Sequence, residues 1–135
     1  MPLSLERIVY ADLNARQKES YNFHKVAALL ADYGYTSLKL DDDWNGADFV
    51  AVHCKGGAIF VQLKARFFIS QNYLGKGLYI AAPIAGRWYL YDHDEVVALC
   101  DRHGIYTNTA SWLQGGRVHS TNPNAAVMDA ITPPL

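Results

Sequence analysis

The sequence predicts an α/β fold of the α+β kind, a single layered domain built on one mixed sheet. Three observations carry that prediction. Apolar residues recur at helical spacing near the start of the chain and again after Asp92. Between them lie runs of β-branched and aromatic residues bounded by Gly, Pro and Asp, which read as strands. The resulting order is helix, three strands, a strand pair and a helix, so no strict βαβ repeat is present.

Taken in order, Pro2 to Val9 is a short lead, an extension suited to reaching a partner chain. Asp12 or Asn14 caps a helix that runs to about Tyr33, where Gly34 ends it. Phe23, Val26, Ala27, Leu30 and Tyr33 form its apolar stripe, with Glu19 on the same stripe one turn earlier. Tyr35 to Leu40 is the first strand. Asp41 to Gly46 follows as a polar loop whose three acids either bind a cation or simply solvate a turn. The next two strands run from Asp48 to Cys54 and from Ala58 to Arg66. Phe67 to Ser70 leaves that hairpin, and Gln71 to Gly77 is a polar loop. Leu78 to Ala82 is a fourth strand ended by Pro83, and Arg87 to Tyr91 a fifth. Asp92 or Asp94 then caps a helix through about His103.

Residues 12–103 thus make the core, and 104–135 form a loop-rich extension. In it Asn108 to Leu113 reads as a helical turn, Gly115-Gly116 as a turn, and Asn124 as the cap of a short helix to Ile131. Recognition surface, oligomer contact and plain cover for the sheet are all open to this tail.

At 135 residues the chain suits one domain, and 50% hydrophobic content supports a sizeable core. No run reaches the length of a membrane-spanning helix, and the start is not a signal peptide, so a cytoplasmic protein with no membrane role is expected. Two cysteines without metal-ligand spacing agree with a reducing compartment. The five histidines show no ligand spacing either.

A net charge of −1 excludes a simple polycationic coat for nucleic acid. Its distribution is more informative. Between Phe49 and Tyr91 there is no acid, whereas Lys55, Lys64, Arg66, Lys76 and Arg87 all lie there. A basic segment beside a small acidic centre suits a phosphate polymer gripped around a metal; the alternative is five ordinary solvated cations.

The polar groups of the hairpin matter most. Were Gly56-Gly57 a two-residue loop, Gln62 and Lys64 would face away from Asp48. A three-residue loop from Lys55 to Gly57 instead sets Cys54 against Ala58, Val50 against Gln62 and Asp48 against Lys64. Only this register gathers the three polar side chains, and it is the expected one. An amphipathic strand wetted by solvent is the competing reading of Gln62 and Lys64. Phe60 on the same face argues that the face is partly covered.

An Asp at a strand start, a hairpin, and then a polar-x-Lys triplet in the next strand resembles the PD-(D/E)XK nuclease superfamily of restriction-type enzymes, resolvases and some homing endonucleases. The residues concerned are Asp48 and Gln62-Leu63-Lys64, and the likeness spans about Ala15 to Glu95. Ala47 stands where that pattern has Pro, and Gln62 where it has Glu or Asp. The resemblance implies a restriction-endonuclease-like core and Mg²⁺-dependent hydrolysis of DNA. It implies catalytic roles for Glu19, Asp48, Gln62 and Lys64, with Mg²⁺ held by Asp48, Glu19, Gln62 and the carbonyl of Leu63. Arg66, Lys76, Arg87 and Tyr73 are the candidate DNA contacts.

One site cuts one strand, so a chain of this size is expected to act on duplex DNA as a homodimer or homotetramer. A Holliday-junction-resolvase-like enzyme is the nearest variant. A non-catalytic DNA-binding domain of the same fold and a protein-interaction module are the alternatives from other classes.

Overall fold

The structure, a computed structural model, describes residues 1–135 except for the side chain of Asp43. The first helix, α1 (Ala15–Ala31), is capped by Asn14, whose side chain accepts from Gln17 N–H while Gln17 accepts from Asn14 N–H, each at 2.9 Å. This reciprocal pair satisfies two backbone donors that a helix start leaves without partners. Asp12, the other candidate cap, lies in a 3-10 turn, Tyr10–Asp12. Phe23, Val26 and Leu30 are buried as expected, but Tyr33 falls beyond the helix end and is 54% exposed. Gly34, at φ +89°, turns the chain where a Cβ would meet Cys54 Sγ at 2.9 Å.

β1 (Tyr35–Trp44) is longer than the sequence suggested. Asp41-Asp42-Asp43 belongs to this strand and not to a loop, although the side chain of Asp43 lies outside the described residues. The turn is Asn45-Gly46 alone, with φ of 53° and 89°, the left-handed pair that a two-residue hairpin requires. It leads into β2 (Ala47–His53), with Trp44 paired to Ala47. The register slips between Lys39 and Trp44, so that Asp48 lies across from a bulge. Bulges re-aim neighbouring side chains and stop regular pairing.

The turn after β2 corrects the expected register. His53 N–H donates to Gly57 O at 2.9 Å, so the three-residue loop is Cys54 to Gly56, one residue earlier than expected. β3 (Ala58–Leu63) therefore pairs Val52 with Ala58 and Val50 with Phe60. One step further along that register, Asp48 lies across from Gln62 rather than Lys64. The shift is by two residues, and side chains alternate with period two. Asp48 and Gln62 thus share a face, as the sequence argument required.

β3 also stops at Leu63 instead of Arg66, although Lys64 N–H still donates to Ala81 O at 2.9 Å. The chain then leaves the sheet through β4 (Phe67–Ser70) and a 3-10 turn, Gln71–Tyr73, and returns as β5 (Leu78–Ile84), parallel to β3. Pro83 does not end β5. It pairs with Trp88 beyond the last β3 partner, where its missing N–H faces no neighbouring strand. β6 (Arg87–Asp92) completes a sheet of order β1-β2-β3-β5-β6.

Asp92 caps α2 (His93–His103), and α3 (Ala110–Gly115) and α4 (Ala125–Ile131) follow near their expected places. Between them β7 (Arg117–Ser120), unforeseen in the sequence, pairs with β4 in a second, two-stranded sheet. Trp112, Val118, Val127 and Ile131 from this tail bury themselves with Ile80, Ala82 and Tyr91. The tail therefore covers one face of β5 and β6. On the opposite face, α1 packs Phe23, Val26 and Leu30 against Phe49, Ala51, Val61 and Ala81.

Candidate functional site

α1, the bulged end of β1, and the junction of β2 with β3 enclose a cleft of about 590 Å³. Glu19 lines it from α1, Asp48 from β2, Gln62 and Leu63 from β3, and Lys64 from just beyond that strand. All of the proposed catalytic and metal-binding residues therefore border one space. They reach it from different elements because the strands part there, at the bulge and at the end of β3.

Asp48 is half-buried, and its Oδ2 accepts from Leu63 N–H at 2.8 Å. The carboxylate thus does the work of a ladder bond at the point where the β2–β3 pairing gives out, and that bond fixes its position. A carboxylate offers about four acceptor sites, so this bond is compatible with a cation on the same group. Gln62 Nε2 donates to Leu63 O at 3.4 Å, a long bond that holds the amide beside the same backbone. Glu19 is exposed, on the second turn of α1.

Lys64 is positioned by aromatic rings. Its Nζ lies 4.2 Å from the Phe68 ring centroid and 5.4 Å from that of Tyr73, within the range of cation–π attraction. Tyr73 does not line the cleft. It braces the lysine from behind and packs edge-on against the buried ring of His93. His93 in turn accepts from Ser70 N–H at 3.0 Å and pairs with Asp94 at 3.0 Å. Gly46 keeps this space open, since a Cβ there would come within 3.1 Å of the Tyr73 ring.

Lys64 and Ala65 are shared with an adjoining cleft of about 210 Å³, bordered also by Arg66, Phe68 and His119. Arg66 is thus placed beside the main cleft. Lys76 sits in the exposed loop before β5, and Arg87 at the tip of the β5–β6 hairpin; neither lines either cleft. The sequence reading missed Lys18, Asn22, Lys39 and Tyr10, which all border the main cleft. A signal existed for part of this set: Ala15, Lys18, Glu19 and Asn22 follow the i, i+3, i+4, i+7 spacing of one helix face.

The donor set can be tested against Mg²⁺. Among the described residues no three His, Cys, Asp or Glu side chains converge as a metal cluster. The cleft offers the Asp48 carboxylate, the amide and backbone oxygens of Gln62 and Leu63, and Glu19 and Asp41 at its margin. These are hard oxygens, and Mg²⁺ commonly binds one or two carboxylates with waters and substrate phosphates completing six positions. The chemistry of the set therefore fits Mg²⁺, with few charges to hold it.

A larger cavity of about 680 Å³ lies at α2 and α4, lined by Tyr79, Asp92, Glu95 and Arg102 among others. Burial, and then the Asp92 and Glu95 charges, raise the Tyr79 hydroxyl above its ordinary pKa. Asp92 there is engaged in capping α2. Its lining brings together no lysine with backbone and amide oxygens, which is why the smaller cleft is the chemical candidate.

No known protein family matches the chain, and no curated protein sequence matches it significantly. Among solved structures, the chain is similar to the Holliday junction resolvase Hjc of Archaeoglobus fulgidus. The likeness covers 51% of this chain and 74% of that one, at a TM-score of 0.42 and 15% identity. No helix among the described residues is long and apolar enough to cross a membrane.

Proposed function

We propose that the chain is a Mg²⁺-dependent endonuclease that hydrolyses DNA phosphodiester bonds at the α1–β2–β3 cleft, a PD-(D/E)XK-type site with Gln62 in the second acidic position. One observation carries the reading: Asp48, Gln62, Leu63, Glu19 and Lys64 border a single space, although they come from three separate stretches of chain. Bound Mg²⁺ would supply positive charge to the phosphate and a more acidic water. Asp48, Gln62 and Leu63 O would hold it, with Glu19 holding water at the cleft margin. Lys64 orients the attacking water or steadies a phosphate oxygen, and Arg66 grips the adjoining phosphate. The chain would act as a homo-oligomer, one site to each DNA strand.

The test is cleavage of supercoiled plasmid, linear duplex and a four-way junction in Mg²⁺. Asp48→Ala and Lys64→Ala should each lower the rate by about 10²-fold or more, with unchanged circular dichroism. Preference for the junction would mark a resolvase-like enzyme, and preference for duplex a restriction-like or homing one. Absence of cleavage in both Mg²⁺ and Mn²⁺ would sink the reading.

A second reading follows from two contacts. The Gln62 amide is turned onto the Leu63 carbonyl, and the Lys64 amine is drawn onto Phe68. The first occupies one acceptor site of the Leu63 carbonyl and the second seats the lysine on an aromatic ring, as a non-catalytic DNA-binding domain would allow. DNA affinity that survives EDTA, with no cleavage, would select it.

A further inference from the structure

We infer that the uncovered face of β1, β2 and β3 is the seat of a second copy of this chain, with the arm of residues 1–9 reaching across the pair. The inference deepens the oligomeric part of the proposed function, and rests on it for choosing a second copy over an unrelated protein. The register places Leu38 beside Val50 and Val50 beside Phe60, and the Trp44 ring packs against Phe60 at 5.0 Å. Leu38 is 54% exposed, Trp44 57% and Val52 40%. An antiparallel sheet with one solvated face normally alternates apolar-in with polar-out. Here α1 covers one face, and the other presents Leu38, Val50, Val52 and Phe60 together, with Thr36 at one end and Asp48 and Gln62 at the other. Contiguous exposed apolar surface of this kind marks a contact site.

The same chain carries a matching apolar segment. Leu3, Leu5, Ile8 and Val9 are 59–85% exposed. Residues 1–9 hold one Glu and one Arg, and the side chains of the open face hold neither Lys nor Arg. Surfaces that bind DNA are strongly positive, so an apolar protein partner fits both features better. A standard interface takes about 800 Å² from each partner. The face exposes few large side chains, and an exchanged arm adds four more apolar residues to the contact. A two-fold arrangement gives each face one arm and closes the assembly.

Geometry ties this surface to the cleft. Asp48 lies about 7 Å along β2 from Val50, two residues earlier on the same face. Tyr10, where the arm begins, borders the cleft itself. Nine extended residues span up to about 30 Å, enough to cross to a partner. Pairing on this face would set two clefts side by side.

The experiment is sedimentation equilibrium of the full chain. We expect a mass twice the 15.1 kDa of one chain. Leu38→Glu should weaken dimerisation at least about tenfold, and so should removal of residues 1–9. Unchanged melting of dilute Leu38→Glu protein would show that its monomer still folds. A parent chain that stays monomeric at its highest soluble concentration overturns the inference. So does a Leu38→Glu dimer of unchanged affinity, or a loss confined to DNA binding. The mass measurement needs no catalysis: a dimer that never cuts DNA removes the nuclease reading alone, and a monomer that nicks DNA removes the interface alone.

Discussion

The two halves of the five-stranded sheet are built from different materials. β5 is covered on both faces, with Leu78, Ile80, Ala81, Ala82 and Ile84 all buried, and β6 beside it buries Tyr89 and Tyr91. A strand enclosed on both sides reads as a continuous apolar run, which this one does. Buried polar groups in that half are satisfied: Tyr91 hydroxyl donates to Phe68 O at 2.8 Å, and His93 accepts from Ser70 N–H. β1, β2 and β3 have α1 on one face only. Every residue of the candidate site sits where that covering stops, and among the described residues this half also holds a buried oxygen without a partner, Ser37 Oγ, across from Ala51. Where the packing of α1 on the sheet ends, the strands part and leave the cleft that holds the candidate site.

The sharpest way to break this comparison is to truncate one β-branched aliphatic side chain to Ala in each half. Ile80→Ala, at a site with no exposure, should cost about 2–5 kcal/mol in urea unfolding. Val52→Ala, on the open face, should cost within about 0.5 kcal/mol when the chain is dilute. Equal losses would mean that the halves are not packed differently. A Val52 cost that grows with protein concentration would show the open face being covered by another copy.

Gln62 sharpens it from the side of the cleft. Gln62→Glu adds a charge where only Asp48 now stands between β2 and β3, and removes the amide that donates to Leu63 O. Mg²⁺ affinity, read by calorimetry without DNA, should rise about tenfold, since charge count tunes such sites. An unchanged affinity would place the cation elsewhere.

The closed half was the more legible in the sequence, and the reason is physical. Apolar runs and caps such as Asp92 and Asn124 are local signals, and they placed β5, β6, α2 and α4 within a few residues. Non-local pairing was not visible: Arg117 to Ser120 carries no strand signal of its own and becomes β7 only because β4 needs a partner. In the open half the two hairpins diverged. The Asn45-Gly46 signal for a two-residue turn was present, but the three acids before it suggested a loop, and β1 was cut short. At the second hairpin, loop length was read correctly and its position was not. The alternation of side chains forgave that error, because a shift of two preserves the face. Lys64 stands out in the sequence by its place in the strand, yet its hold by Phe68 and Tyr73 depends on a crossover that sequence spacing does not encode.

Alkaline titration sharpens the comparison by the smallest expected effect. Burial raises the Cys100 thiol to about 11, with the Asp101 charge adding to it. Burial also raises the Tyr91 hydroxyl, and its bond with Phe68 lowers it only in part. Both belong to the closed half. A folded pKa above the unfolded one means that the native state binds more protons between the two values, so stability falls as pH rises through that window. For Cys100 the stabilisation is intact below the ordinary thiol value of about 8.5 and is lost as pH approaches about 11. Urea midpoints from pH 8 to 10.5 should decline for the parent chain and decline less steeply for Cys100→Ala. The two slopes coinciding would show that the thiol is not held in its neutral form by the packing of α2 against β5, and that the closed half is looser than its burial implies.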